Sequence, residues 1–334
     1  MKLLITGGAG FIGSNFIHFL RETYPEDSIV NLDNLTYAGN LENLVSVEGD
    51  THYQFVKGDI GDAKLVEPLV EQCDAVVHFA AESHVDRSIL GPEAFVRTNV
   101  MGTFTLLEMA RKYGKRFHHV STDEVFGSLR RNDPAFHEAT PYDPRSPYSA
   151  SKAASDHLVR AYFYTYGLPI TISNCSNNYG PYHFPEKLIP LAITHILEGE
   201  KVPVYGDGRQ VRDWLFVKDH CRAIDLILRR GRIGETYCIG GNGERENIWI
   251  VEKLLSLLGK DTSFIEHVTD RLGHDRRYAI DFAKIRTELG WEPLVSLEEG
   301  LAQTVAWFQE HEIWWKRVKS GEYQKYDSNQ YGTA

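Results

Sequence analysis

The 334-residue sequence is poor in cysteine, and the four it has, Cys73, Cys175, Cys221 and Cys238, are far apart and form no CxxC. A disulfide scaffold and a thiolate metal site are therefore excluded, and buried reduced thiols in a cytoplasmic protein are expected. No apolar run reaches the ~18 residues of a membrane span, and Leu3-Leu4-Ile5 is too short for the core of an export signal. The 14 histidines form no HExxH or other compact ligand set, so no metal is expected. Positive charge is in deficit. A formal net charge of −10 argues against a nucleic-acid surface, and an anionic substrate then needs a local arginine cluster. Repeats and low-complexity segments are missing too. What is present, 42% hydrophobic and 25% charged residues, is ordinary for a soluble globular enzyme. The length exceeds the roughly 250–300 residues at which one core stops growing, so one large and one smaller domain are expected.

The chain opens with a short apolar strand, Lys2 to Thr6, and runs at once into Gly7-Gly8-Ala9-Gly10-Phe11-Ile12-Gly13 and a helix from about Phe11 to Tyr24. Gly8, Gly10 and Gly13 form GxGxxG between strand and helix, where backbone N–H groups and the helix N-terminus meet a pyrophosphate. Asp33 follows at the end of Ile29-Val30-Asn31-Leu32. Its carboxylate suits a ribose diol and would repel a 2′-phosphate, which favours NAD over NADP. The rhythm continues through Tyr53 to Val56, Ala75 to Phe79, a helix from Phe95 to Tyr113, and Ile170 to Cys175. Alternating strands and helices predict an α/β fold with a doubly wound parallel sheet of Rossmann type. Asp59, after the third strand, reads equally as an adenine contact or as the N-cap of the next helix.

Between the last two of these strands, Lys115 to Val120 is a β-type run that ends in Ser121-Thr122-Asp123-Glu124-Val125-Phe126-Gly127. Ligands in open α/β sheets sit beyond the carboxyl ends of strands, so two hydroxyls and two adjacent carboxylates fall where chemistry is done. Tyr148 and Lys152 follow, four residues apart, and Ser149 to Tyr166 has helical spacing. If Tyr148 lies on the first turn, the two side chains share a face, and a nearby ammonium favours the phenolate of a group whose reference pKa is ~10. Tyr and Lys at this spacing are common in plain helices, and an Asp-Glu pair is often merely solvated. The dinucleotide motif beside them decides for catalysis.

These residues together, GGAGFIG, Asp33, Ser121-Thr122 and Tyr148-Lys152 in YSASK, resemble the extended short-chain dehydrogenase/reductase family. DNLTYAGNLENL, FAAESHVDRS, STDEVFG, SNNYGPYHFPEKLIPL, RDWLFVKDH and DRLGHDRRYAID are more specifically similar to the dTDP-glucose 4,6-dehydratases. The likeness spans almost the whole chain; Phe126 stands where Tyr is frequent, and Leu272 where Pro is.

The resemblance implies NAD as cofactor, held by Gly7, Gly10, Phe11, Ile12 and Gly13, by Asp33, Asn34, Leu35 and Thr36, by Asp59 and Ile60, by Phe79, Ala80, Ala81 and Ser83, and by Thr98, Tyr148, Lys152 and Asn178. It implies dTDP-glucose as substrate, touching Ser83, Thr122, Asn177, Lys187, Leu188, Pro203, Tyr205, Arg212, Asn247, Arg271 and His274. In such enzymes the hexose is oxidised at C4 with Tyr148 as base, Thr122 holding the oxygen and Lys152 the phenolate. Glu124 then removes the C5 proton, Asp123 protonates the departing C6 hydroxyl, and the hydride returns to C6. Elimination needs an acid and a base side by side, and mutual repulsion separates the pKa values of two neighbouring carboxylates. Plain dehydrogenases and epimerases need no such pair.

The resemblance further implies a Rossmann-type domain over 1–175, a smaller and partly interleaved α/β sugar-nucleotide domain over 176–334, and a homodimer paired through the helices at 95–113 and 149–166. A UDP-sugar dehydratase or an epimerase is the alternative enzyme, and a non-catalytic NAD-binding redox sensor the alternative class. Asn177 and Asn178 also suit a turn with Gly180 and Pro181. Arg229, Arg230 and Arg232 read as a solvated helix end. Of His118 and His119, one is expected against a helix and the other on a hydrogen-bond partner. Trp307, Trp314 and Trp315 are expected to dock on the protein rather than on a membrane, and the tail from Ser320 to fray.

Overall fold

The computed structural model describes residues 1–270 and 274–321. Its first half is a βα alternation: β1 (Lys2–Thr6), α1 (Phe11–Thr23), β2 (Ser28–Asp33), β3 (Tyr53–Lys57), α2 (Ala63–Gln72), β4 (Ala75–His78), α3 (Val85–Leu90), α4 (Pro92–Phe95), α5 (Thr103–Tyr113), β5 (Arg116–Thr122), α6 (Pro147–Tyr166) and β6 (Ile170–Cys175). Then come β7 (Asn177–Tyr179), α7 (Leu188–Glu198), β8 (Val202–Tyr205), β9 (Val211–Phe216), α8 (Val217–Arg230), β10 (Thr236–Ile239), β11 (Glu244–Glu246), α9 (Asn247–Leu257), β12 (Ile265–Val268), α10 (Ala283–Leu289), α11 (Leu297–Glu310) and α12 (Glu312–Ser320).

Seven strands form one parallel sheet in the order β3-β2-β1-β4-β5-β6-β10. Leu3, Leu4 and Ile5 are inaccessible on both faces, because helices cover the sheet on each side. Phe16, Ile17 and Leu20 of α1 pack with Cys221, Ile224 and Leu228 of α8 on one face. Val66, Leu106, Leu107 and Val159, from α2, α5 and α6, cover the other. The sequence winds outward in both directions from β1 and β4, so their carboxyl ends border the switch-point crevice where ligands sit in such sheets. A second core joins α7, α9, α11 and α12 to β8 and β9 and takes in Trp314 and Trp315. Two small sheets, β11-β9-β7 and β12-β8, carry that half's loops to the crevice.

Some local expectations need correction. The helix expected from Phe95 starts at Pro92, and residues 96–102 form a wide π-type turn within it. The Asn99 carbonyl there accepts hydrogen bonds from Ser155 Oγ and Thr103 Oγ1, both at 2.6 Å, so side chains occupy an acceptor of the backbone ladder. Arg229 is not a solvated cap: it bonds Asp225 and Asp27 and lies over the Tyr24 ring at 3.7 Å, clamping α8 to the loop after α1. His118 sits between the hydroxyls of Thr171 and Ser173, and His119 faces α6.

Candidate active site

The carboxyl ends of the main sheet open into a cavity of about 720 Å³ that continues into the second half of the chain. Its floor is the loop between β1 and α1. Gly7 takes φ +75°, and a Cβ on it would stand 2.6 Å from the Ala80 nitrogen. A Cβ on Gly13 would collide with the Gly7 carbonyl oxygen. Only a chain without side chains there can fold so tightly, and the turn brings the uncapped N-terminus of α1, at Gly10, to the cavity wall. Asp33, at the end of β2, accepts hydrogen bonds from the N–H groups of Ala9 (2.9 Å) and Leu35 (2.8 Å). Burial raises its carboxyl pKa, and these two donors oppose the shift. A cradle of glycines, a free helix N-terminus and a fixed carboxylate fit a dinucleotide.

Phe11, Ile12, Asn34, Thr36, Ile60, Phe79, Ala80, Ala81, Ser83, Thr98 and Asn178 line the same cavity. Leu35 does not. With φ at +55° it turns its side chain into the core beside α1 and contributes only its N–H to Asp33. Asp59 lines the cavity and accepts from Gly61 N at 2.7 Å, but the cap of α2 is Asp62, which accepts from Lys64 and Leu65.

Thr122 ends β5, and Asp123 opens a single tight turn to Phe126. The Thr122 hydroxyl accepts from Glu124 N and donates to Asp123 Oδ1, each at 3.3 Å. Asp123 is 2% exposed, and its Oδ2 has no hydrogen-bond partner within the protein. Burial, Glu124 and Asp213 push its pKa well above the ordinary carboxylate range, against the opposing Arg212 and Thr122. Glu124 is half-buried. The two carboxyls thus differ in environment as the pairing of an acid with a base requires.

Tyr148 lies on the first turn of α6, which Ser146 starts with a reciprocal hydrogen-bond box to Ser149. One turn later Lys152, 4% exposed, donates from Nζ to the Val120 carbonyl at 2.9 Å. Here the expected activation of the phenol is reversed. Burial, Glu124 and Cys175 drive the Tyr148 pKa well up, while Thr122 opposes them. Burial also lowers the pKa of Lys152. Shared position on a helix face is met; a lowered phenol pKa is not a property of the protein alone, because desolvation penalises any charge there.

The second half of the chain closes the cavity. Asn177 begins β7, Lys187 caps α7 with Nζ 3.4 Å from the Ser83 carbonyl, and Leu188 follows it. Pro203 and Tyr205 come from β8, Asn247 from the start of α9, and His274 stands edge-on to Tyr205. Arg212 is fixed by the carbonyls of Val211 and Asp275 and by the Tyr278 ring beneath it. All line the cavity. Asn177 Oδ1 and Asn247 Oδ1 are buried without a partner inside the protein, as ligand-facing amides would be. Arg271 and Leu272 lie outside the described residues.

Sequence reasoning missed Tyr37, Arg145, His183 and Tyr278, which also face the cavity. Tyr37, His183 and Tyr278 sit inside stretches already singled out, so proximity to those motifs was the available signal; Arg145 carried none. Asp213, fully enclosed and accepting from Gly241 and Gly243 N–H groups, was hidden between Arg212 and an apolar strand. Among the described residues no cluster of His, Cys, Asp and Glu could hold a metal, and no helix is long and apolar enough to cross a membrane.

Comparison with known proteins agrees with this geometry. Residues 4–304 match the family model described as GDP-mannose 4,6 dehydratase. A dTDP-glucose 4,6-dehydratase of Xanthomonas campestris pv. campestris is 58% identical over 96% of both chains, and that of Salmonella typhimurium 52% identical over 99% of both. The crystal structure of a Streptomyces venezuelae dTDP-glucose 4,6-dehydratase, with NAD and a further ligand bound, superposes with a TM-score of 0.93 at 52% identity, covering 95% of this chain and all of that one. A UDP-glucose 4-epimerase of Thermotoga maritima shares the fold at 32% identity and a TM-score of 0.86, covering 93% of this chain and 99% of that one. With a glycine cradle and Asp33 at one end of the cavity and a Tyr–Lys helix beside paired carboxylates at its centre, the chain belongs to the GDP-mannose 4,6 dehydratase family.

Proposed function

We propose that this chain is an NAD-dependent dTDP-glucose 4,6-dehydratase, converting dTDP-glucose to dTDP-4-keto-6-deoxyglucose and water. The observation that carries this reading is the adjacent pair Asp123 and Glu124, one fully buried with a raised pKa and the other half-buried, next to Tyr148 and Thr122. NAD, when bound, supplies the hydride acceptor and donor and, while oxidised, a positive charge. Tyr148 takes the proton of the C4 hydroxyl, and Lys152, cationic in a dry site, offsets the cost of the phenolate. Thr122 steadies the C4 oxygen. The C4 ketone acidifies the C5 hydrogen, which Glu124 removes as a proton while Asp123 delivers its own to the C6 hydroxyl, so that water leaves. Arg212, set in a plane by its two carbonyls and Tyr278, presents a fork suited to phosphate oxygens.

The test is incubation with dTDP-glucose and, separately, UDP-glucose. The 4-keto-6-deoxy product, detected by its absorbance in strong base, should form from the first without net NADH release. Appearance of only the C4 epimer would replace this reading with an epimerase.

We infer also that the protein is a homodimer in the cytoplasm. The run from α3 to α5 exposes Ile89, Leu90, Val96, Met101 (52%) and Phe104 (40%), an apolar face that a second copy would cover. All four cysteines are buried and unpaired, as suits a reducing compartment. Light scattering should give twice the chain mass at micromolar concentration, and Met101→Asp should halve it; a monomeric wild type would refute the pairing.

A further inference from the structure

Behind the catalytic helix lies a buried carboxylate that the chemistry above does not use. Asp156 is one turn beyond Lys152 on α6, and none of its surface is accessible. It accepts from Tyr142 OH at 2.7 Å and from Asn174 Nδ2 at 3.1 Å, and its Oδ1 lies 3.2 Å from His119 Nε2. These groups come from the loop before α6, from β6 and from β5. None of the four side chains lines the cavity. Asn174 also donates to the Thr122 carbonyl at 3.1 Å, and Lys152 donates to that of Val120. Asn174 thereby ties the Thr122 end of β5 to this carboxylate, while Lys152, which holds Val120, lies one helical turn before it on α6.

We propose that Asp156 is a positioning residue for the C4 oxidation, keeping Lys152 cationic in the dry interior and holding the end of β5, with Thr122, in register with Tyr148. The inference rests on the reaction proposed above. Burial alone would raise the Asp156 pKa, yet His119, Lys152 and Tyr142 outweigh it and hold the carboxyl below its usual range. His119 is itself pushed down to about 4, chiefly by burial, and is neutral near pH 7. Asp156 Oδ1 and both His119 nitrogens are buried without a hydrogen bond, and Lys152, one turn earlier on α6, is the buried cation whose charge the carboxylate offsets. Of the other groups around the pair, Arg160 is charged and reaches the carboxylate only through Tyr142, whereas Cys175 and His78 are neutral at that pH. Burial raises the pKa of Cys175 on β6 to about 12, and burial lowers that of His78 on β4. Tyr142 is bonded to Asp156 and lies beside Arg160, one turn further along α6.

Burial already lowers the Lys152 pKa, and Asp156 leads the groups opposing that. Without the carboxylate charge it falls further, so Lys152 loses its proton at lower pH. Asp156→Asn keeps the shape and an acceptor for Tyr142 while removing the charge. In single turnovers with dTDP-glucose, the alkaline limb of reduced-cofactor formation should move down by about one pH unit or more, a tenfold loss at a fixed pH on that limb, and recover in acid. Tyr142→Phe, which keeps the charge, should leave the limb in place. An unmoved limb in Asp156→Asn, or an equal shift in Tyr142→Phe, overturns the proposal. Should Asp156→Asn fail to fold, Lys152→Arg decides: arginine holds its charge without help, so the limb should move up or vanish, and an unmoved limb refutes the idea. A wild type that forms no reduced cofactor at any pH would instead refute the reaction.

Discussion

Replacing Asp123 by asparagine should slow the loss of water and, at the same time, stabilise the protein near neutrality. Asp123 is enclosed beside Glu124 and Asp213, with one oxygen unpartnered, so the folded protein keeps a proton that the unfolded chain releases near pH ~4. A carboxyl with a raised folded-state pKa contributes its full stability below the unfolded value and loses it as pH rises toward the folded value. That loss is about 1.4 kcal/mol for each pH unit between the two. Asparagine has no such proton, so its advantage is nil in strong acid and grows with pH across the window. The amide can donate a hydrogen bond but cannot release a proton, and loss of a positioned acid costs about 10²–10⁴-fold in rate, or ~3–5 kcal/mol of barrier. Rapid-quench single turnovers should show the 4-keto hexose accumulating before water is lost. Thermal unfolding at about pH 5 and about pH 8 should show the larger gain at the higher pH. A wild-type elimination rate, or an equal gain at both pH values, would refute the assignment.

Tyr148→Phe should abolish the near-ultraviolet band of reduced cofactor in a single turnover, whereas Glu124→Gln should still develop it and then stall; identical traces would remove the division of labour between them. Asp33→Asn keeps an acceptor but loses a charged one, so the cofactor carried through purification should fall about 10-fold or more, as for a charge-assisted hydrogen bond worth ~1.5–3 kcal/mol. Full cofactor content, read by absorbance after denaturation, would count against Asp33 as a ligand. Gly13→Ala drives a methyl into the Gly7 carbonyl, so the loop must open; a stability loss of about 1–3 kcal/mol and poor cofactor retention should appear in thermal unfolding with and without added NAD.

The strand, glycine loop, helix and Asp33 were legible because each leaves a local mark: an apolar run, residues without Cβ, helical spacing, and a carboxylate at a strand end. Tyr148 and Lys152 could be placed on one helix face for the same reason. The wide turn at 96–102 was not legible, since it keeps helical composition and is set by Ser155, more than fifty residues away. Nor was the state of Tyr148. Four-residue spacing reveals that Lys152 shares its face, but only the fold shows that the ammonium donates to Val120 and that Glu124 and Cys175 oppose the phenolate. Arg212, Tyr205 and His274 carry no periodic signal, and only whole-chain resemblance pointed to them. Leu35 shows the converse: it stands within a motif that lines the cavity, yet a positive φ sends its side chain to the core.

The edge position of β10 bears on how the chain is made. During synthesis β6 emerges long before β10, its only neighbour on that side, and α8, which covers one face of the sheet, emerges in between. Until α8 and then residues 236–239 leave the ribosome, the nascent sheet shows a face only partly covered by α1 and an open strand edge, the features that invite aggregation. Ribosome-bound chains stopped near residue 175 should therefore remain protease-sensitive and bind chaperones, and protection should appear only once the chain is released past β10. A gene cut at that point would yield two insoluble halves rather than two working domains.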